Sequence, residues 1–233
     1  MPRRERPKQT ERSEHWMRIA ANEDSAEFNQ LLIAKFGWDE DEQIRWLSPI
    51  KSDDYAEYFD ESFLERLGIG DLSVPLSNFW PRSGARWDGL AKTDSGKVIL
   101  VEAKAYIEEG VDYRSKAERP ESIAMITRAL NDAKASFRAN NDAPWEAPFY
   151  QYTNRLAHLY FLSALNQIDT YLVFLYFADA PDVPKPSSVA EWEGAARLTE
   201  KCLGLSNRHP FKERIATIIW RVPEMPFYVG TKD

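Results

Sequence analysis

The chain is short of several things, and each shortage excludes something. It has one cysteine, Cys202, so no internal disulfide can form and a cysteine-built zinc site is excluded. Three histidines are little material for a histidine-based zinc centre. Basic residues are outnumbered, with 30 Lys and Arg against 37 Asp and Glu and a formal net charge of −7. That speaks against a protein that grips nucleic acid by charge over its whole surface, while leaving room for a local patch. Long hydrophobic runs are missing too. The longest, 171–178, falls far short of the roughly 20 residues a membrane-spanning helix needs, and no apolar stretch of the secretory type follows Met1. No internal repeat or low-complexity segment appears beyond a polar start. A reducing, cytoplasmic setting is the expectation. What the chain does have is core material: 43% hydrophobic residues and 8 Trp in 233 residues, enough for one well-packed domain with appendages.

The most informative stretch is 86–105. Residues 98–106 are apolar and β-branched enough for a strand, 86–93 form the partner, and Asp94-Ser95-Gly96 supplies a three-residue turn with Gly96 in the left-handed position. This register sets Thr93 opposite Lys97 and, counting back, Asp88 opposite Glu102. Opposed residues of an antiparallel pair share a face with Cβ atoms roughly 5 Å apart, and alternation puts Lys104 on that face as well. Two carboxylates so close repel unless positive charge sits between them, and removing either should then leave the melting temperature unchanged or raised. Hard carboxylate oxygens suit Mg²⁺ or Mn²⁺, beside which Lys104 can orient a water or offset charge on a phosphoryl oxygen. Glu-x-Lys or Asp-x-Lys triplets arise by chance about once or twice in such a chain. Asp132-Ala133-Lys134 is another, but it lies in a helical pattern that turns its charges apart. Only Glu102 follows a buried-looking Val-Ile-Leu-Val run, where a charge is expected to be paired or liganding.

Elsewhere, residues 13–43 carry helical spacing (Trp16, Ile19, Phe28, Leu31, Leu32, Phe36), with Gly37 as a stop and 43–48 as a short further turn. Asp53 or Asp54 caps a helix running to Leu67 and closed by Gly68, with Tyr55, Phe59, Phe63 and Leu67 as its stripe. Residues 72–80 are the expected first strand, made irregular or an edge by Pro75. The charged segment 108–120, with Arg114, Lys116 and Arg119, is a loop beside the substrate path or a plain surface loop. Helices follow at 121–138 and 149–166. A buried strand spans 171–177, Ser188 and Glu191 form a capping box opening a helix to Leu203, and a last strand spans 215–222. The order of elements is α/β: a mixed central sheet with helices on both faces. His158 is expected to be a satisfied interior histidine. The basic stretch Pro2-Arg3-Arg4-Glu5-Arg6-Pro7-Lys8 is a candidate substrate patch, though a solvated tail accounts for it more simply.

The pattern Trp80-Pro81-x-x-Gly84-x-x-Trp87-Asp88-Gly89, followed by Leu100-Val101-Glu102-Ala103-Lys104-Ala105, resembles the PD-(D/E)xK nuclease superfamily with its restriction-endonuclease-like fold. The match covers about 53–177, and Trp87 stands where the family name has Pro. Members have a helix, a three-strand meander, further helices and a fourth strand. The resemblance implies that Asp88 and Glu102 bind Mg²⁺ or Mn²⁺, that the carbonyl of Ala103 is a further ligand and that Lys104 helps the attacking water. It also implies a carboxylate on the helix before the first strand, Glu57 as first choice and Glu61 as second. Gln151 matches in type and order a glutamine that reaches the site in several branches; Asn154 and Arg155 follow it in rank. The expected activity is metal-dependent hydrolysis of nucleic acid, DNA first, leaving a 5′-phosphate and a 3′-hydroxyl. On this reading residues 1–50 are a tail and N-terminal helical cap, and 51–233 one nuclease-like domain. The alternatives are a catalytically silent nuclease-fold scaffold, which the acidic charge favours, and a hydrolase of smaller phosphoesters. Oligomeric state, homodimer included, stays open.

Overall fold

The computed structural model describes residues 3–4, 11–111 and 114–230, with backbone alone at 3, 4 and 230. Of the basic N-terminal stretch, only the backbone of Arg3 and Arg4 falls among the described residues, and Asp112 and Tyr113 of the 108–120 segment lie outside them.

The central sheet has five strands in the order β2 (Ile44–Ser48), β5 (Gly89–Thr93), β6 (Val98–Lys104), β7 (Thr170–Ala178) and β8 (Ile215–Arg221). The first three form an antiparallel meander; β6, β7 and β8 run parallel. Parallel neighbours need long crossovers. Helices α5 (Pro120–Ser136) and α6 (Tyr150–Tyr160), the latter continuing as a π-helical stretch Phe161–Leu165, join β6 to β7, and α7 (Val189–Cys202) joins β7 to β8. A small second sheet pairs β1 (Arg3–Arg4), β3 (Glu57–Phe59) and β4 (Arg86–Trp87).

Strand alternation sorts the interior into two cores. Leu90, Leu100, Leu172, Phe174 and Tyr176 face one way and pack with Phe63, Leu130, Leu156 and Trp192 from α3 (Glu61–Arg66), α5, α6 and α7. Ile99, Val101, Val173, Leu175 and Phe177 face the other way and pack with Trp16, Met17, Phe28 and Leu32 from α1 (Arg12–Ala21) and α2 (Ser25–Phe36). Each fully buried side chain of this size stabilises the fold by roughly 1.5–3 kcal/mol, so both helical layers hold the sheet. Helices thus cover both of its faces, and the front section of the chain supplies α1 and α2 of one layer and an edge strand. Gly37 closes α2 in the left-handed conformation (φ 64°), and the Ser188–Glu191 capping box opens α7.

Three expectations are corrected. Residues 43–48 hold an edge strand, not a turn: Ile44, Trp46 and Ser48 alternate inward, and Trp46 stacks on Phe28 at 5.0 Å while its indole N–H donates to Asn29 at 2.9 Å. The expected helix over 53–67 is a helix only over Glu61–Arg66. Asp54 and Tyr55 take positive φ (49° and 54°), which breaks the run, and Glu57–Phe59 pairs as a strand with β4. The i, i+4 aromatic spacing was thus overridden by a pairing partner distant in sequence. The expected first strand over 72–80 contains a helical turn, α4 (Leu76–Phe79), with Pro75 at its N-cap. A proline fits there because its missing N–H would be unsatisfied in any case.

Candidate active site

The hairpin has the register the turn dictates: Gly89 opposite Val101, Leu90 opposite Leu100, Ala91 opposite Ile99 and Lys92 opposite Val98. The Thr93 N–H donates to Lys97 O at 2.9 Å beside the turn. One more rung would set Asp88 opposite Glu102. In the small sheet Tyr58 pairs with Trp87 and Phe59 with Arg86, and one more rung there would set Glu57 opposite Asp88. Asp88 sits where the strand leaves one sheet for the other, and its Oδ2 accepts the Ala103 N–H at 2.8 Å. A side chain thereby satisfies a backbone donor at the end of the ladder.

Glu102 is 3% exposed. Its Oε1 lies 2.6 Å from Lys104 Nζ, and its Oε2 lies 2.6 Å from both Nε and Nη2 of Arg155. Arg155 is itself held by its neighbours. Its Nη2 donates to Arg86 O at 2.7 Å and its Nη1 to Asn154 Oδ1 at 3.3 Å, and the guanidinium lies 4.8 Å from the centre of the Trp87 ring. Burial alone would push the Glu102 carboxyl up; the charges of Arg155 and Lys104 outweigh it and hold the group below its ordinary value. Lys104 mirrors this: burial would lower it, but Glu102 and then Asp88 hold it above 10.5. Lys104 is therefore a fixed ammonium that feels both carboxylates. Asp88, Glu102, Lys104 and Arg155 together form a charge-balanced cluster, the condition under which buried charges persist. Protein cations thus already compensate Glu102, so on this geometry removal of its carboxylate should cost stability rather than relieve repulsion.

The other singled-out residues fall on either side of this cluster. Glu57 is buried, but on strand β3 and not on a helix. Glu61 opens α3 and is exposed. Ala103 pairs with Leu175 of β7 and gives its N–H to Asp88. Gln151 lines a cavity together with Glu102 and Lys104. His158 is interior, its Nδ1 2.9 Å from Asn154 O, with Phe63, Phe79, Trp80 and Trp87 rings around it. Burial takes it down to about 3, so it is neutral. The sequence ranks Arg155 below Gln151, yet Arg155 is the residue bound to Glu102. A signal was present: Tyr152, Arg155 and Leu159 follow i, i+3, i+7 spacing on the inward face of α6, which is no place for an unpaired arginine.

Among the described residues, no three His, Cys, Asp or Glu side chains are gathered as a metal site. By type, Asp88, Glu102 and the Ala103 carbonyl suit a hard divalent cation. A cation taken by Glu102 would compete with Lys104 and Arg155 for its oxygens.

The cavity beside the cluster measures about 130 Å³. Phe174 and Tyr176, successive inward residues of β7, line it with Tyr152 of α6 and Trp192 of α7. Tyr152 stacks on Phe174 (3.9 Å, 3°) and Tyr176 on Trp192 (4.3 Å, 5°). The exposed side chains of Val111 and Leu198 form part of its rim. No helix among the described residues is long and apolar enough to cross a membrane.

The chain is an α/β protein whose mixed five-stranded sheet carries a buried, charge-balanced cluster next to an aromatic cavity. No family model, curated protein or solved structure matches it.

Proposed function

We propose that this protein is a metal-dependent phosphodiesterase of the PD-(D/E)xK type with a restriction-endonuclease-like fold, acting on nucleic acid and on DNA first. The observation that carries the reading is Lys104, an ammonium engaged with Glu102 and held above its ordinary value by Glu102 and Asp88 at the end of a hairpin, beside an open cavity. The order of elements supports it: an antiparallel three-strand meander, then helices, then a parallel strand. Asp88 and Glu102, with the Ala103 carbonyl, would hold Mg²⁺ or Mn²⁺, and Glu57 is the next carboxylate along the rungs. Such an ion, when bound, would supply Lewis acidity and a more acidic water. Lys104 cannot serve as a base while it stays protonated; it offsets charge building on the phosphoryl oxygens. Gln151 lines the cavity, where it would orient a substrate oxygen. Arg155 is a positioning residue that fixes the Glu102 carboxylate. The single cysteine supports a cytoplasmic setting.

A second reading is a catalytically silent scaffold of the same fold. It is favoured by the two protein cations that already occupy Glu102. Calorimetric titration of Mn²⁺ into wild type and Asp88→Ala, with cleavage of single- and double-stranded DNA and RNA in Mg²⁺, separates the two. Mn²⁺ heat and cleavage in wild type, both lost in Asp88→Ala, are expected. No Mn²⁺ binding and no cleavage by wild type would leave the scaffold.

A further inference from the structure

The aromatic cavity has features that a phosphoryl-transfer site alone does not require. Tyr152 and Tyr176 are 9% and 7% exposed and both line it. Among the described residues, the hydroxyl of neither has a hydrogen-bonding partner. Both hydroxyls are accessible rather than sealed in, and Tyr152 also borders a second cavity beside Glu200 and His209, so each can donate to or accept from a ligand with polar atoms on its edge. The walls are rings and small aliphatic groups, including Ala195 and Ala196 of α7, which suits a flat apolar body. The volume of about 130 Å³ is close to the roughly 150 Å³ of a cavity that takes one benzene ring. Lys104 lines it beside Glu102, its partner at 2.6 Å, and can offer the remaining N–H donors of its ammonium to an anion attached to that ring. A nucleotide has this form, with donors and acceptors along the edge of a planar ring and an anion alongside.

We propose that this cavity receives a single unpaired nucleobase of the substrate, next to the phosphate at Lys104, so that the protein acts on single strands or frayed ends. This rests on the phosphodiesterase reading for the phosphate, but the base recognition can be measured without any reaction. A base inside a duplex is stacked and paired, and it enters such a pocket only after leaving the helix at an energetic cost. Base contact with aromatic side chains, by contrast, is strong and tolerant of sequence.

The test is binding in EDTA of an oligodeoxynucleotide carrying one 2-aminopurine. It is compared with the same strand abasic at that position and with the strand annealed into a duplex. The base-containing single strand should bind about tenfold more tightly than either, as one base–aromatic contact allows, with quenched 2-aminopurine fluorescence. Ala195→Trp, which fills the cavity from a half-buried helix position, should abolish that preference while leaving Mn²⁺ titration unchanged. Equal affinity for the base-containing and abasic strands overturns the proposal, and this comparison needs only wild type. A preference that survives in folded Ala195→Trp also overturns it. The two readings fail separately. Cleavage without base preference sinks the cavity assignment alone; base preference without cleavage in Mg²⁺ or Mn²⁺ sinks the phosphodiesterase and keeps the cavity.

Discussion

Arg155→Leu tests the central contact of the cluster. Leucine is nearly as good a helix former as arginine, so α6 should persist. The substitution removes both N–H contacts to Glu102 Oε2, the bond to Arg86 O and the packing on Trp87. The side chains of Arg155 and Glu102 are 7% and 4% exposed, so water cannot replace the lost partner. Breaking a buried pair on one side costs about 3–5 kcal/mol. Lys104 still compensates Glu102, which points to the lower end, about 3 kcal/mol. At about 2–4 °C per kcal/mol for a chain of this size, the melting temperature should fall by about 6–12 °C. Scanning calorimetry at pH 7 measures this, and pH supplies the control. In wild type the folded carboxyl of Glu102 lies below its ordinary 4.5. The stability it contributes is therefore present above 4.5 and lost as pH falls through the folded value. In the variant the main compensating charge is gone while burial remains, so the carboxyl rises and takes up a proton sooner. The gap between the two proteins should accordingly narrow as pH drops from 7 to about 4. A gap under about 2 °C at pH 7, or one that does not change with pH, would refute the assignment of Arg155 as the partner of Glu102.

Glu102→Gln should lower the melting temperature, by a free energy of about 3 kcal/mol, because it leaves Lys104 and Arg155 facing a neutral amide; an unchanged or raised value would restore the picture of two repelling acids. Gly89→Ala should cost about 1–3 kcal/mol in urea denaturation, since a Cβ there would lie 2.6 Å from Met17 Cε and 3.1 Å from Val101 Cβ; no loss would mean the strand has slack at this point. His158 should show no titration in its ¹⁵N shifts between about pH 5 and 8, because burial holds it at about 3. Its folded value is depressed, so any stability it lends declines as pH falls below 6.5 and the unfolded imidazole takes up a proton. A midpoint near 6.5 would show that the ring meets solvent.

The hairpin was legible down to its register because a short turn with Gly96 at its end leaves little freedom, and the rungs then count themselves. β7 and α7 were legible for similarly local reasons: a continuous apolar run and a capping box. Two failures were failures of range. Residues 57–59 look helical until β4 is known to lie beside them, and 43–48 are too few and too mixed in polarity to announce an edge strand. The cluster was legible in part. The like-charge argument demands positive charge beside Glu102, and Lys104 follows from alternation alone. Arg155 comes from another helix, and its pairing depends on how α6 lies across β6, which no local pattern encodes.

One run of backbone, residues 86–93, belongs to both sheets. Its first two residues pair with β3 and its last five with β2 and β6, and Asp88 is the single residue at the seam. Glu102 is clamped from α6, and Asp88 accepts the Ala103 N–H at the strand end. A twist of the small ribbon would reach Asp88 through the continuous backbone of 86–88. The two acids thus hang from different parts of the framework, one at the seam between the sheets and one within the larger sheet.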